Sequence, residues 1–388
     1  MVNDAAATPK IAALIAAAAE PISQPPWVTF QSDGVVLIYG RDAQAVEAGN
    51  LLKTHLDVTV LITPPVTLIR PGVSEFPIAA GKIRFATGYL GAFEITVDEF
   101  APPSRTAHDN LSFGTSRDGA VSRCDIVIDL SGGPMLFPGP DLRDGYLRAN
   151  PGNPAAVLSI VQKARDLVGT FDKPRYISFT ENLCAHSRSQ ITGCRRCLDL
   201  CPAGAITPAG DHVAIDAHIC AGCGQCAAAC PTGAAAYALP PSDELLRGLR
   251  KLLLTYRDAG GDRPVVLFHD QLHGAPLIEA LARYGDGLPP NVLPVAVNEV
   301  TQVGLEAIAG LFAYGASAVR FLLRAKPRHD VLGLTGTIAL TESILSGLGF
   351  GSGRIATIEV DDPDLLNAAL RETPTQSPSS ARNTDSTI

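Results

Sequence analysis

The chain has 388 residues, of which 46% are hydrophobic and 18% are charged, and its formal net charge is −8. This length is enough for two or three hydrophobic cores. The acidic balance disfavours a nucleic-acid partner, because proteins that bind a phosphate backbone are typically basic. The sequence has no stretch of 18 apolar residues, so we expect no membrane span.

A short apolar run at residues 11–19 follows Thr8 and Pro9. A hydroxyl residue followed by proline is typical of the start of a helix. Asp4 precedes the run and Lys10 is the only nearby cation, which disfavours a signal peptide. We therefore predict a surface helix here, and a cytoplasmic protein.

Residues 1–180 are predicted to form an α/β domain. Residues 34–63 have the pattern of a strand, a helix and a second strand, and residues 82–100 alternate as a β-hairpin does. A further strand is predicted at residues 124–130 and a helix at residues 155–168.

Residues 242–371 are predicted to form a second α/β domain. An amphipathic helix at residues 242–256 is followed by four strand patterns that alternate with helical ones. Strands and helices in this alternation form a parallel sheet with right-handed crossovers. The four strands are expected at residues 264–269, 292–297, 318–323 and 354–360. Residues 372–388, which follow this domain, lack apolar anchors and are predicted to be disordered.

Eight of the nine cysteines lie between Cys184 and Cys230, and the ninth is Cys124. Disulfides that stabilise a fold of this size would be spread along the chain, so the clustered set predicts metal ligation. Cys124 opens a predicted strand and is interpreted as a small core residue.

The cysteine cluster contains an internal duplication. A shift of 29 residues superimposes the second half of the cluster on the first, including the proline that follows the last cysteine of each half. Only the first cysteine breaks this register, because the counterpart of Cys220 would be Ile191 and Cys184 lies seven residues earlier. The superimposed pairs are Cys194 with Cys223, Cys197 with Cys226, Cys201 with Cys230, and Pro202 with Pro231.

The spacing assigns the cysteines to two sets of four. Gaps of two residues let one short loop surround three corners of a cubane, while the fourth cysteine, further along, reaches the other cluster. The first predicted ligand set is Cys184, Cys194, Cys197 and Cys230, and the second is Cys201, Cys220, Cys223 and Cys226.

Residues 220–234, Cys-Ala-Gly-Cys-Gly-Gln-Cys-Ala-Ala-Ala-Cys-Pro-Thr-Gly-Ala, resemble the motif of the bacterial two-cluster ferredoxin family position for position. The resemblance implies a module at residues 181–241 that binds two [4Fe–4S] clusters. Zinc is the alternative, since eight cysteines could also form two zinc sites. Neither the three-residue gap before the fourth cysteine nor the proline after it is a zinc requirement. The nearby histidines, His186, His212 and His218, are interpreted as surface or packing residues.

The predicted fold class is therefore α/β and α+β in a multidomain chain, in which two α/β regions flank a small ferredoxin-like two-cluster module. We expect an electron-transfer protein that relays electrons between partner redox proteins rather than a stand-alone enzyme. The basic residues near the first set lead us to two hypotheses: that its cluster has the higher reduction potential and docks an acidic partner, or that these residues only keep an inserted loop soluble. These residues are Arg188, Arg195 and Arg196.

The C-terminal region suggests kinds of partner. Residues 288–292 and 307–319 resemble the delta subunit of hydrogenases that partner heterodisulfide reductase, which implies a fold and an interaction surface. That subunit binds a [2Fe–2S] cluster through cysteines at its strand ends, whereas this chain has no cysteine after Cys230, so no third cluster is expected. The layout is also similar to bacterial iron–sulfur proteins encoded near formate dehydrogenase genes.

Two other functions stay open. The strand before Gly40 could begin a flavin or nucleotide site in an oxidoreductase subunit, but Arg41 and Asp42 put charged side chains where a pyrophosphate would approach. A non-redox scaffold held together by metal is the other alternative. His269, Asp270 and His273 could form a metal or proton-transfer site, and are interpreted as ordinary loop residues.

Overall fold

The computed structural model describes residues 4–65, 75–104, 111–139, 143–188 and 191–371. It confirms the predicted fold class, with α/β regions on both sides of a small module. In this part of the chain, no helix is both long and apolar enough to cross a membrane. The predicted disordered tail, residues 372–388, lies outside the described residues.

The N-terminal region is built around a seven-stranded sheet of order β6-β5-β4-β3-β2-β7-β8. The predicted strand–helix–strand unit and hairpin are both present, as β2-α2-β3 and β4-β5. The elements are α1 (Asp4–Ala18), β1 (Trp27–Ser32), β2 (Val35–Gly40), α2 (Ala43–Leu52), β3 (Asp57–Ile62), β4 (Ile78–Thr87), β5 (Phe93–Ala101), β6 (Ala120–Cys124), β7 (Ile126–Leu130), β8 (Tyr146–Arg148), α3 (Pro154–Arg165) and β9 (Gly169–Pro174).

The strand predicted at residues 124–130 is interrupted at Asp125. Strand β6 pairs antiparallel with β5, and β7 pairs parallel with β2. Because a single residue separates β6 from β7, the sheet curls round on itself. The Asp125 carboxylate accepts the backbone N–H groups of Asp33 (2.8 Å) and Val35 (3.0 Å), which holds the bend against the start of β2.

The cysteine module consists of short elements. Strands β10 and β15 pair antiparallel, as do β13 and β14, and the hairpin β11–β12 lies in the longer loop after Cys184. The elements are β10 (Ile177–Phe179), β11 (Ser187–Arg188), β12 (Ile191–Thr192), α4 (Arg196–Leu200), β13 (Ile206–Ala209), β14 (His212–Ile215), α5 (Gln225–Ala228) and β15 (Ala235–Tyr237).

The C-terminal region contains the predicted parallel sheet, of order β17-β16-β18-β19. The connection after β16 leads to one side and that after β18 to the other, which opens a crevice at the carboxyl ends of these strands. The elements are α6 (Ser242–Asp258), β16 (Val265–His269), α7 (Gly274–Tyr284), β17 (Val292–Ala296), α8 (Leu305–Ala313), β18 (Ala318–Leu323), α9 (Leu332–Gly347), β19 (Ile355–Glu359) and α10 (Pro363–Arg371).

Helix α1 starts earlier than predicted, at Asp4, so that Pro9 lies inside it. The helix packs against α6, and Ala13 is buried in the core of the C-terminal sheet. The Lys10 ammonium donates to the carbonyl oxygens of Leu288 (3.4 Å) and Pro289 (3.3 Å). The first helix of the chain therefore packs on its last sheet.

Candidate metal centre

The two halves of the cysteine module bring their short helices together, and α4 contacts α5. In the second half, Gly222 (φ 78°) and Gly224 (φ 76°) adopt the left-handed conformation that lets the loop turn between its cysteines. A Cβ atom on Gly224 would lie 2.4 Å from Cβ of Gln302, so the close approach of another segment also requires glycine.

The first set of thiols is partly exposed. Burial raises the pKa of Cys197 to about 11, and the neighbouring thiols of Cys194, Cys184 and Cys230 raise it further. These three neighbours are the cysteines that the spacing places with Cys197. All four are intermediate in exposure.

The second set is more deeply buried. Burial raises the pKa of Cys226, the most enclosed of the eight, and the nearby thiols of Cys220, Cys223 and Cys201 raise it further. Burial also raises the pKa of Cys223 to about 11. Cys197, from the first set, also raises the pKa of Cys226, so the two sets adjoin each other. The ligand assignment itself stays a prediction.

Backbone N–H groups point at the sulfur atoms. Ala205 donates to Cys201 Sγ (3.3 Å) and Ala235 to Cys230 Sγ (3.5 Å). Burial raises the pKa of Cys230, but N–H donors from Ala235 and Thr232 outweigh it and leave the pKa below its ordinary value. Such donors favour the thiolate, the form that a metal needs. The thiol sets and their donors therefore fit iron–sulfur ligation.

Among the described residues, no three His, Cys, Asp or Glu side chains converge as ligands of a single metal ion do. A cluster of four iron and four sulfide ions is larger than one ion and needs its thiolates further apart. The nearby histidines have packing roles. His186 Nδ1 donates to the Cys194 carbonyl oxygen (3.0 Å), and the His218 ring stacks on Tyr89 with 4.2 Å between centroids. His212 lies 3.7 Å from the Glu181 carboxylate.

Residues 192–234 match the family model of the 4Fe-4S dicluster domain. The matched segment contains seven of the eight clustered cysteines, and Cys184 lies before it. No curated protein matches the chain. The geometry and the family match together show that the chain contains an iron–sulfur module of the ferredoxin type.

The residues that attach this module to the C-terminal region were not predicted from the sequence. Thr301 Oγ1, in a short 3₁₀ helix after β17, donates to the Cys223 carbonyl oxygen (2.6 Å). Asn298 Nδ2 donates to the Tyr237 hydroxyl (2.8 Å). No local pattern marks these residues, because each contacts a residue more than 60 positions away in the sequence.

Gln225 makes the most enclosed of these contacts. Its side chain is 2% exposed, donates to the Asp330 carbonyl oxygen (2.8 Å) and accepts the Gly333 N–H (3.2 Å). The loop of the second thiol set is therefore held against the segment that leads into α9.

The other candidate sites have structural roles. Asp42 accepts the Gln44 N–H (3.1 Å) and so caps α2, which places a carboxylate where a nucleotide phosphate would need the helix N-terminus. Asp270 accepts the backbone N–H groups of His273 (2.5 Å) and Gly274 (3.3 Å) at the start of α7. His269 Nδ1 donates to the Asp270 carbonyl oxygen (3.1 Å).

Proposed function

We propose that this protein relays electrons between partner redox proteins through two [4Fe–4S] clusters. The observation that carries the proposal is the pair of adjoining groups of thiols, seven of whose eight cysteines lie in the matched 4Fe-4S dicluster domain. Each cluster, when bound, would carry one electron. The ligands of the first cluster would be Cys184, Cys194, Cys197 and Cys230, and those of the second would be Cys201, Cys220, Cys223 and Cys226.

The surroundings of the two sets differ in exposure and charge. Arg195 and Arg196, beside the first set, are exposed, and Arg195 pairs with Asp199 (3.4 Å). Ile191 is 74% exposed on the hairpin nearby. The second set lies under the contacts with the C-terminal region. We infer that an acidic redox partner approaches the first set, because exposed cations and an exposed apolar side chain suit such a surface.

A redox titration of the anaerobically purified protein tests the proposal. Two reversible one-electron steps are expected, both followed by the loss and recovery of visible absorbance. A protein that contains zinc and shows no reducible step would contradict the proposal and support the metal-held scaffold instead.

A further inference from the structure

A cavity of about 700 Å³ lies where three parts of the chain meet. Strands β1 and β9 contribute Phe30 and Phe171, the module contributes Cys220, and the carboxyl edge of the C-terminal sheet contributes Leu272 and Glu299. Binding sites for small organic molecules are typically 300–1,000 Å³ and often lie where domains meet. The size and the place of the cavity are those of a ligand site.

The cavity touches the second thiol set directly. Cys220 lines its wall, next to Tyr176. A Cβ atom on Gly222 would lie 2.8 Å from the Tyr176 ring, so the ring packs closely on the cysteine loop. A molecule in the cavity would therefore contact a residue that we assign as a ligand of the second cluster.

The charges of the cavity wall balance. The Arg143 guanidinium donates to the carbonyl oxygens of Gly88 (3.0 Å) and Ala203 (2.8 Å), and the Lys173 ammonium donates to that of His218 (2.6 Å). Two cations are thus already engaged by the protein, which favours an uncharged ligand over a phosphate-bearing one. The charged residues of the wall are Arg143, Lys173 and Arg328 with Asp144, Asp172 and Glu299.

The apolar part of the wall is rich in aromatic side chains. Phe30, Phe171 and Tyr176 all line the cavity, together with aliphatic residues such as Leu272. Aromatic side chains gain most from a flat ring that stacks on them or meets their edges. The aromatic lining, the balanced charge and the proximity to Cys220 together favour one chemical class of ligand.

We propose that this cavity binds a flat, uncharged aromatic ring that carries two electrons, as the rings of flavins and quinones do. The inference rests on the proposed electron relay. Oxidation of one reduced ring releases two electrons and two protons. The two electrons match the capacity of two one-electron clusters, and the two protons pass to the surrounding water.

Anaerobic binding measurements on the cluster-containing protein test this inference, with riboflavin and menadione as the two probes. We expect saturable binding of at least one probe, and the one that binds distinguishes a flavin site from a quinone site. Leu272→Trp fills part of the cavity from a 70% exposed position. The substitution should weaken binding about tenfold or more.

Leu348→Trp is the matched control, because Leu348 is 69% exposed and does not line this cavity. It should bind the probe as the unmodified protein does. Iron content and the dithionite-reduced EPR signals should be the same in all three proteins. Intact clusters without saturable binding of either probe, or with equal binding in Leu272→Trp, would overturn the inference alone. A protein without clusters would remove the proposed function and this inference with it.

Discussion

Cys184 is the clustered cysteine that breaks the duplication and lies outside the matched domain. It is nevertheless close enough to Cys197 to raise the pKa of that thiol. We predict that Cys184→Ala loses the first cluster and keeps the second, because a cubane with three thiolates lacks one ligand. The iron content should fall from about eight per chain to about four.

Cys124→Ala is the control for that substitution. Cys124 is 4% exposed in the N-terminal sheet, and burial raises its pKa to about 12, so it stays a protonated core thiol. Its removal should cost about 1 kcal/mol of stability and leave iron unchanged. Full iron content in Cys184→Ala would show that another residue completes the first set.

Arg195 and Arg196 carry a prediction about reduction potential. Positive charge stabilises the reduced cluster, which bears one more negative charge than the oxidised cluster. Replacing both arginines with glutamine should lower the potential of the first cluster by on the order of 20 mV at low salt and leave the second unchanged. A redox titration monitored by EPR measures the reduction potentials of the two clusters separately.

The same change of charge at Arg250 and Lys251, which are exposed on α6, provides the control. That double variant should leave both potentials at their original values. Equal potentials in the Arg195 and Arg196 variant and in the unmodified protein would show that these arginines only solvate the loop.

At the scale of elements, helix α5 attaches the module to the C-terminal region through Gln225. Gln225→Leu leaves the Asp330 carbonyl oxygen and the Gly333 N–H without their partner. We predict a loss of about 1–3 kcal/mol of unfolding free energy, measured as a lower unfolding temperature at fixed heating rate. Gln24→Leu, at an exposed position, should stay within about 0.5 kcal/mol. Equal effects of the two substitutions would argue against this attachment.

Helix α1 attaches to the C-terminal region through Lys10, whose pKa burial lowers from 10.5 to about 8. Below pH 8 the amine is charged in both folded and unfolded protein, so folding must bury a charge. Between pH 8 and 10.5 the Lys10 amine is neutral in the folded protein and still charged in the unfolded protein. The free-energy cost of burying Lys10 therefore falls as pH rises through this range. Lys10→Met removes this titration. Between pH 7 and 10 the unfolding free energy of the unmodified protein should therefore rise by about 1–2 kcal/mol relative to that of Lys10→Met.

Unfolding temperatures of the two proteins at several pH values measure this gain. Lys251→Met, at an exposed position on α6, should show no such dependence on pH. A constant difference between Lys10→Met and the unmodified protein across this range would contradict the predicted titration.

Periodicity in the sequence was sufficient for the elements that pair with near neighbours. The strands of the C-terminal sheet and the β4–β5 hairpin lie within a few residues of their predicted positions. Periodicity did not predict long-range strand pairing, such as that of β1 with β9, which lies about 140 residues later in the sequence. The apolar run in α1 predicts a helix, but it carries no information about the sheet on which that helix packs.

The same distinction separates the cysteine spacing, which is local in the sequence, from the contacts that join distant segments of the chain. The iron–sulfur module could be predicted, because the spacing of its cysteines is a local property of the chain. The bend at Asp125 could not, because it depends on hydrogen bonds to Asp33 and Val35. The contact of Thr301 with the Cys223 loop is equally distant in sequence.

At the scale of the whole molecule, the two thiol sets have different neighbours. The first set is partly exposed beside exposed arginines, while the second adjoins the cavity and the carboxyl edge of the C-terminal sheet. This asymmetry suits a relay with two different ends. Electrons would enter or leave at the cavity on one side and at a protein partner on the other.

The most direct test of the relay is an iron and sulfide assay of the anaerobically purified protein, with EPR spectra before and after reduction by dithionite. We predict about eight iron and eight sulfide per chain, and signals from two reduced clusters that interact magnetically. Zinc in place of iron, or one cluster with no second signal, would contradict this prediction.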